Sequence, residues 1–410
     1  MRNFLFIVVG LLTGAQISSA VCLINISSTR IVKDLKVNRD QLRLFINKPA
    51  ANGQLQWYDV PFQIDPMTES GRLLFFKNKE WQLQPLQEFD KIRFRRRDMG
   101  ADKGARGLPC GKQAFEIKSK TDGKWNYAYL TACPEKPRAK VVSPIQYVKA
   151  YDKLESATYL YNYSPSNHML FKNVFLASAG QFNQFLSDSR LNIYADVKRF
   201  FNLHFDQSDI ESKIEEHDIR ELGAVAAVPF FLKILFFKIR LSLTTDVNFY
   251  EDSVQIPMYI SLPVGGKDHL NEGSGILYSF KIAKGVVPQS IDMPLVEAKT
   301  KGDTKPWCGY SVCSYKLSLK SSQNHMAFYF RIPLDLVKEG FYPQFVSSQK
   351  QLKALPSKYS KFMKNDDEVG FFFKTNGLSK GQHPWDFKIQ FNERPGESID
   401  CNASYDVKRL

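Results

Sequence analysis

The sequence predicts an all-β, mostly antiparallel protein, in which an N-terminal β-sandwich-like domain precedes a larger β-sandwich. Apolar and polar residues alternate with period two in many segments, which is typical of strands that bury one face. Turn-forming pairs such as Gly265-Gly266 and Asn376-Gly377 separate these segments. Apolar residues make up 43% of the chain, which is enough for packed cores and argues against disorder.

The clearest alternation predicts a long strand over residues 191–205 and another over 385–391. Further strands are predicted near 254–262, 276–283, 310–319, 325–333 and 368–374. Helix is scarce, and one short helix is predicted near 209–222. Ser208 and Glu211 have the spacing of a capping box at its start, and Gly223 provides its stop. The predicted helix would face the core with Ile210, Ile214 and Leu222.

The run 223–243 is apolar enough to resemble a membrane span, but it contains Lys233, Lys238 and Arg240. Each cation at mid-membrane costs roughly 2.5–3.5 kcal/mol on insertion scales. From Phe237 onward apolar and polar residues alternate strictly, so this run is predicted as a half-buried strand.

The first twenty residues predict a cleavable export signal. Arg2 is followed by the apolar run 4–12, and Ser18 and Ala20 occupy the positions that a signal peptidase reads. The run is too short for a membrane anchor, which needs about twenty apolar residues. We therefore expect a periplasmic or extracellular protein with no transmembrane segment after signal cleavage.

The domain organisation is predicted from a Pro-rich segment, 133–145 (CPEKPRAKVVSPI), which lacks any periodicity. The predicted parts are the signal peptide 1–20, an N-terminal β domain over 21–135, a linker over 136–145 and a larger β domain over 146–410. A chain of this length usually divides into two or three domains, because single cores stop growing at about 250–300 residues.

Six cysteines remain after signal cleavage, an even number that predicts disulfides in an oxidising compartment. The predicted pairs are Cys110–Cys133 across a hairpin base, Cys308–Cys313 around a tight loop, and Cys22–Cys401 joining the two ends. No metal site is predicted from the scattered histidines and cysteines. Asp98 and Asp102 suit either a calcium ligand pair or a turn with internal hydrogen bonds.

Asp122-Gly123 predicts a two-residue hairpin turn between strands 115–121 and 124–130. In this register, opposed residue numbers sum to 245. One face then carries Glu116, Lys118, Lys120, Trp125, Tyr127 and Tyr129, and the other carries the apolar residues of a core. An aromatic and basic face suits sugars with anionic groups or stacked bases. The alternative is that a neighbouring strand or domain covers this face.

Positive charge concentrates in the N-terminal domain. Lys91, Arg93, Arg95 and Arg97 alternate with other residues, which predicts a positively charged strand face. The whole chain carries a net charge of +14. A local concentration of positive charge, such as this strand face, attracts polyanions through salt-sensitive forces. The alternative is a solvated face without a ligand. No helix-turn-helix, zinc-finger or RNA-binding signature is present, which argues against nucleic acid as the partner.

Two short motifs resemble a family. Pro61-Phe62-Gln63-Ile64-Asp65 and the later segment 89–101 (FDKIRFRRRDMGA) are similar to uncharacterised exported bacterial and archaeal β-rich proteins. Those proteins have a PFQ(V/I)D strand before a D-x-(L/I)-x-F-x-x-x-D-x-G segment. The resemblance covers about residues 55–105 and implies a β fold and an envelope setting, without an activity. This chain is basic at 95–97, where that family tends to be acidic.

The function predicted from these features is an exported, envelope-associated binding protein for an anionic glycan or other polyanion. Its candidate ligand-binding residues are Arg93, Arg95, Arg97, Lys118, Lys120, Trp125, Tyr127 and Tyr129. No cofactor is expected, and no catalytic residues are identified. A carbohydrate-active lyase or hydrolase on a large β-sandwich is the alternative, which a groove with convergent ionisable groups would favour.

Overall fold

The computed structural model describes residues 23–35, 37–69, 73–74, 79–101, 103–104, 107–110, 113–121, 123–135, 143–148, 152–198, 202–206, 209–212, 214, 216–234, 237–262, 265–295, 307–309, 311–347, 351, 355, 359, 367–392 and 405–410. These residues form two compact units. The small unit lies within Ser18–Pro144, Asp218–Gly223 and Gly396–Leu410. The large unit lies within Ile145–His217 and Ala224–Pro395. The predicted signal peptide, 1–20, and the linker residues 136–142 lie outside the described residues.

The first part of the chain forms strands β1 (Leu23–Ser27), β2 (Leu42–Pro49), β3 (Leu55–Asp59), β4 (Gln63–Asp65), β5 (Lys91–Arg95), β6 (Ala114–Thr121) and β7 (Lys124–Ala132). A short helix, α1 (Thr29–Val32), follows β1. Single 3-10 turns lie at Arg39–Gln41, Lys79–Leu83 and Arg96–Asp98.

The remaining chain forms strands β8 (Ile145–Val148), β9 (Lys153–Ser156), β10 (Tyr159–Ser164), β11 (Asn167–Ser178), β12 (Gln181–Asp196), β13 (Asn202–Phe205), β14 (Ile210–Ser212), β15 (Glu216–Ile219), β16 (Gly223–Ile234), β17 (Phe237–Tyr250), β18 (Ser253–Leu262), β19 (Gly275–Ile282), β20 (Val287–Asp292), β21 (Trp307–Cys308), β22 (Val312–Lys320), β23 (His325–Pro333), β24 (Pro343–Val346), β25 (Glu368–Lys374), β26 (Gly381–Phe391) and β27 (Tyr405–Arg409). Two short helices interrupt them, α2 (Gly266–His269) and α3 (Leu334–Lys338). None of the helices in the described residues has the length and apolar content needed to cross a membrane.

The small unit contains two antiparallel sheets that share a core. The first has the order β1-β5-β4 and the second β27-β6-β7-β2-β3. One apolar cluster joins Ile26 and Phe94 of the first sheet to Leu44, Ile117 and Leu130 of the second. The C-terminal strand β27 therefore belongs to this unit, although the chain forms the large unit before reaching it.

The large unit is a sandwich with an aromatic core. Strands β11, β12, β19 and β25 form one antiparallel run, and β18, β26, β23 and β22 form another. The two runs pack together through phenylalanines, with ring centroids 4.8 Å apart for Phe280 and Phe328 and 4.6 Å apart for Phe330 and Phe371. The predicted fold class, all-β and mostly antiparallel, is confirmed.

The predicted helix near 209–222 is wrong, because strands β14 and β15 lie within this segment and β16 begins at Gly223. Ile210 pairs with Leu232 of β16, and Ser212 pairs with Asn167 of β11. These partners, distant in sequence, take the backbone hydrogen bonds that a helix would have made locally. The strand predicted over 191–205 is likewise two strands, since β12 ends at Asp196 and β13 begins at Asn202.

Two of the three predicted disulfides are confirmed. Cys110 is bonded to Cys133 with Cα atoms 4.9 Å apart, and Cys308 is bonded to Cys313 with Cα atoms 4.0 Å apart. Cys22 and Cys401 lie outside the described residues, so their pairing stays a prediction. The Tyr405 hydroxyl donates a 2.5 Å hydrogen bond to the carbonyl of Asn25. Each of these two residues lies a few positions along the sequence from one of the two cysteines.

Candidate functional site

The hairpin formed by β6 and β7 has the register that its turn predicts. Lys120 lies opposite Trp125, Lys118 opposite Tyr127, and Glu116 opposite Tyr129. Gly123 has a φ of +79°, the left-handed backbone conformation that this turn requires. The hairpin face predicted from the sequence therefore exists, and its two ends differ in their exposure to solvent.

The end of this face near the turn is open. Trp125 is 41% exposed, and the ammonium groups of Lys118 and Lys120 lie 5.3 Å and 5.9 Å from its ring centroid. Lys124 is also exposed. The guanidinium of Arg96 donates a hydrogen bond to the carbonyl of Lys120, which adds a fourth cation. We call Lys118, Lys120, Lys124 and Trp125 the hairpin patch. Its charge and its exposed indole suit an anionic ligand with a flat surface.

The other end of the face is closed. Tyr129 is fully buried, and its ring packs edge-on against Trp57 with centroids 5.2 Å apart. The backbone N–H of Gly104 donates to the Tyr129 hydroxyl at 3.0 Å, and that hydroxyl donates to Glu116. Burial raises the pKa of Tyr129 to about 12. Tyr129 is therefore part of the packed sheet and not of an open surface, while Tyr127 is half-buried.

Residues 99–101 and 103–104 cover this closed end, and two glycines allow their close approach. Gly100 forms a bridge with Tyr127, and a Cβ atom at Gly100 would lie 2.4 Å from the backbone oxygen of Asn47. A Cβ atom at Gly104 would overlap the Asn47 side-chain amide. The close contact with Asn47 leaves no room for a side chain at Gly100 or Gly104, so packing explains both glycines. The proposed calcium pair lies partly outside the described residues, because Asp102 is not described.

The predicted positive face of β5 does not form. Strand β5 ends at Arg95, and a 3-10 turn over Arg96–Asp98 breaks the alternation, so Arg97 does not continue the strand. Arg93 is 5% exposed, and its guanidinium lies 2.7 Å from the Asp65 carboxylate. Arg93 is therefore buried, and Asp65 neutralises its charge. Arg95 is half-buried, and Arg97 is exposed.

Asp65 is the centre of a group of ion pairs that we call the buried ion cluster. It consists of the buried residues Gln63, Asp65, Arg93 and Arg220 and the half-buried Asp218. The Arg220 guanidinium pairs with Asp65 and lies 2.8 Å from Asp218. The Gln63 amide donates to Asp65 at 2.6 Å, and its oxygen accepts from the N–H of Leu222 at 3.2 Å. One carboxylate thus holds two guanidinium groups that are almost completely buried.

The electrostatics of the buried ion cluster follow from this arrangement. Burial by itself would raise the pKa of Asp65, but Arg93 and Arg220 outweigh burial and hold this pKa below its ordinary value. Burial likewise works against charge on Arg220, and Asp65 and Asp218 overcome it, so the pKa of Arg220 is raised. Asp65 and Arg220 therefore stay charged in the neutral range.

Sequence reasoning singled out Asp65 as part of a motif but missed Arg220. A carboxylate in the fully buried strand Gln63–Asp65 requires a buried partner, which indicates that a cation must pair with it. The sequence offers no local indication of which cation does so, because Arg220 is 155 residues away. In the part of the chain that the structure describes, no group of three His, Cys, Asp or Glu side chains could hold a metal ion.

No protein-family model matches the chain, and no curated protein matches it. Among solved structures, it is similar to an alpha-mannosidase from Enterococcus faecalis V583, with 9% identity and a TM-score of 0.41 over 95% of this chain and 44% of that one. It is also similar to a glycosyl hydrolase family 38 protein from Enterococcus faecalis, with 8% identity and a TM-score of 0.39 over 93% of this chain and 49% of that one. The chain spans less than half the length of either protein, so these similarities assign it no activity.

Proposed function

We propose that this protein is an exported binding protein that recognises an anionic glycan or another polyanion through the hairpin patch. The observation that carries the proposal is Trp125, whose indole is 41% exposed with two lysine ammonium groups within 6 Å of its ring. The disulfides support an oxidising compartment, because such bonds form and persist outside the reducing cytoplasm.

The patch combines two kinds of attraction that suit one class of ligand. An exposed indole offers a flat apolar surface for the face of a sugar ring or another planar group. The surrounding ammonium groups attract carboxylate, sulfate or phosphate groups at longer range. A ligand with both properties, such as an acidic polysaccharide, would use the two together, whereas a neutral sugar would use the indole alone.

The strand pairing beneath the patch favours recognition by a preformed surface. Strands β6 and β7 hold Lys118, Lys120 and Trp125 in one register, and the core residues Ile117 and Ala128 fix the opposite face of the hairpin. A ligand would therefore meet side chains on a backbone that is already paired and packed, which limits the conformational entropy lost on binding.

The charge contribution is tested by titrating the protein with a heparin oligosaccharide and with polygalacturonate at 0.05 M and 0.3 M salt. Exposed charge contacts weaken as the screening length shortens. We expect affinity to fall with salt, and the double variant Lys118→Ser/Lys120→Ser to bind more weakly with a flatter salt dependence.

The matched control is Lys320→Ser/Lys374→Ser, which removes two exposed lysines from the large unit and changes the net charge equally. We expect this control to bind as the parent does. Equal losses in the two double variants would show that net charge, and not the hairpin patch, determines binding. If the parent binds neither polymer at low salt, the proposal is refuted.

A further inference from the structure

The C-terminal strand β27 brings a carboxylate to the edge of the hairpin patch. Asp406 lies directly opposite Lys118 in the β27–β6 ladder, and Tyr127 lies opposite Lys118 on its other side. The Asp406 carboxylate is 3.1 Å from the Lys118 ammonium group, which is itself 5.3 Å from the Trp125 ring centroid. One lysine is therefore shared between the patch and the last strand of the chain.

We infer that β27 restrains the hairpin patch, because Asp406 and an anionic ligand compete for Lys118. This inference rests on the proposed function and concerns the regulation of the same site. With β27 in place, Asp406 neutralises one cation of the patch. When that ion pair opens, Lys118 is available to the ligand.

The ion pair is placed where competition is feasible. The side chains of Lys118 and Asp406 are 34% and 60% exposed, so water and ligands reach both partners. Exposed pairs of this kind are weak, and a ligand that carries several charges can displace one of them. A buried pair such as the one between Asp65 and Arg220 would not exchange in this way.

The strand that carries Asp406 is itself held lightly. Four of its five residues are exposed, and only Val407 packs, partly buried, against the core. Its side-chain contacts include the hydrogen bond from Tyr405 to Asn25 and an exposed ion pair between Arg409 and Asp34. Edge strands with little buried apolar surface open locally at low free-energy cost, so the pairing of β27 can respond to a ligand.

Competition is reciprocal. If Asp406 weakens ligand binding by some factor, the bound ligand must weaken the hold on β27 by the same factor. A polyanion bound at the hairpin patch is therefore expected to speed hydrogen exchange of the backbone amides of residues 405–409, and exchange within β7 is expected to stay unchanged or to slow.

The test compares the heparin-oligosaccharide affinity of Asp406→Asn with that of the parent at 0.05 M salt. An exposed ion pair of this strength predicts a gain of about two- to fivefold. The matched control is Asp59→Asn, which removes an acid of similar exposure at the opposite edge of the same sheet, where it pairs with Arg43 at 3.5 Å. We expect Asp59→Asn to change affinity much less.

Equal gains in the two variants would overturn the inference, because they would report net charge alone. An unchanged affinity in Asp406→Asn, with binding still lost in Trp125→Ala, would also overturn it and leave the proposed function intact. Binding that is absent in the parent and in both variants would instead remove the proposed function. Matching melting temperatures of the parent and the two variants establish that each variant is folded.

Discussion

The substitution Asp65→Ala tests the buried ion cluster most severely. Asp65 is fully buried and is the carboxylate to which both Arg93 and Arg220 are paired. Removing it leaves two guanidinium groups that are 5% and 4% exposed without this counter-charge. Of its partners, Arg220 keeps Asp218 as a neighbour, at 2.8 Å. The small unit should therefore lose much of its stability.

The expected loss is about 3–5 kcal/mol in the free energy of unfolding, the usual cost of removing one partner of a buried ion pair. Two paired arginines place the substitution toward the upper end of that range. By contrast, Asp406→Ala removes an exposed ion pair and should cost at most about 1 kcal/mol.

The pH dependence has a definite sign. Because the pKa of Asp65 is lower in the folded protein, its contribution to stability is present above its unfolded pKa of 3.8 and is lost as pH falls. The parent should lose stability on acidification below about pH 4. The Asp65→Ala variant should lose less stability than the parent over the same pH range, because it has no carboxylate at this position to protonate.

The assay is denaturant-dependent hydrogen exchange of the β5 amides, which reports on the small unit without requiring the whole chain to unfold in one step. The double variant Asp65→Ala/Arg93→Met should recover part of the loss, since it also removes a buried guanidinium that has lost the Asp65 counter-charge. A cost below about 1 kcal/mol for Asp65→Ala, like that of the exposed control, would refute the reasoning about burial.

Three further predictions concern packing, protonation and cross-links. Gly100→Ala should cost about 1–3 kcal/mol in thermal unfolding, because its Cβ would lie 2.4 Å from the Asn47 carbonyl oxygen. Burial raises the pKa of Asp386 to about 7, so its contribution to stability is present below pH 4 and is lost as pH rises through 7. Asp386→Asn should remove up to about 4 kcal/mol of that pH dependence in unfolding titrations. Replacing Cys110 and Cys133 by serine should cost about 2–4 kcal/mol in denaturant unfolding.

Each of these has a contradicting result. For the glycine, the control is Gly265→Ala, whose Cβ would meet its nearest neighbour at an ordinary 3.5 Å, and equal effects of the two substitutions would contradict the contact with Asn47. For Asp386, a stability profile between pH 4 and 7 that is identical in parent and Asp386→Asn would contradict the raised pKa. For the disulfide, unchanged unfolding of the serine variant would show that the bond constrains little of the chain.

Local patterns predicted most of the strands and the hairpin, because both depend on neighbours in sequence. The alternation at 385–391 lies in β26, and the Asp122-Gly123 turn fixed the β6–β7 register. The same local reasoning failed at 209–222. There, a capping-box pattern competed with strand pairing to Leu232 and Asn167, and tertiary hydrogen bonds prevailed.

The candidate site was predicted only in part, because local patterns do not report on contacts between segments that are distant in sequence. Alternation placed Trp125 and Tyr129 on one face, but it could not show that Gly104 contacts Tyr129, which is buried, while Trp125 stays exposed. A count of cations likewise could not distinguish Arg93, which Asp65 neutralises in the interior, from Arg97 on the surface. Coverage and charge pairing depend on contacts between segments distant in sequence, and single-sequence periodicity contains no information about them.

The central claim is that Trp125 is a binding residue and not a packing residue. The most direct measurement is calorimetric titration of the parent and Trp125→Ala with a heparin oligosaccharide at 0.15 M salt, together with their melting temperatures. Loss of one exposed stacking contact predicts an affinity weaker by about 5- to 150-fold, from roughly 1–3 kcal/mol. The melting temperature should stay close to that of the parent, since the side chain is 41% exposed. Unchanged affinity with a large fall in melting temperature would contradict the account.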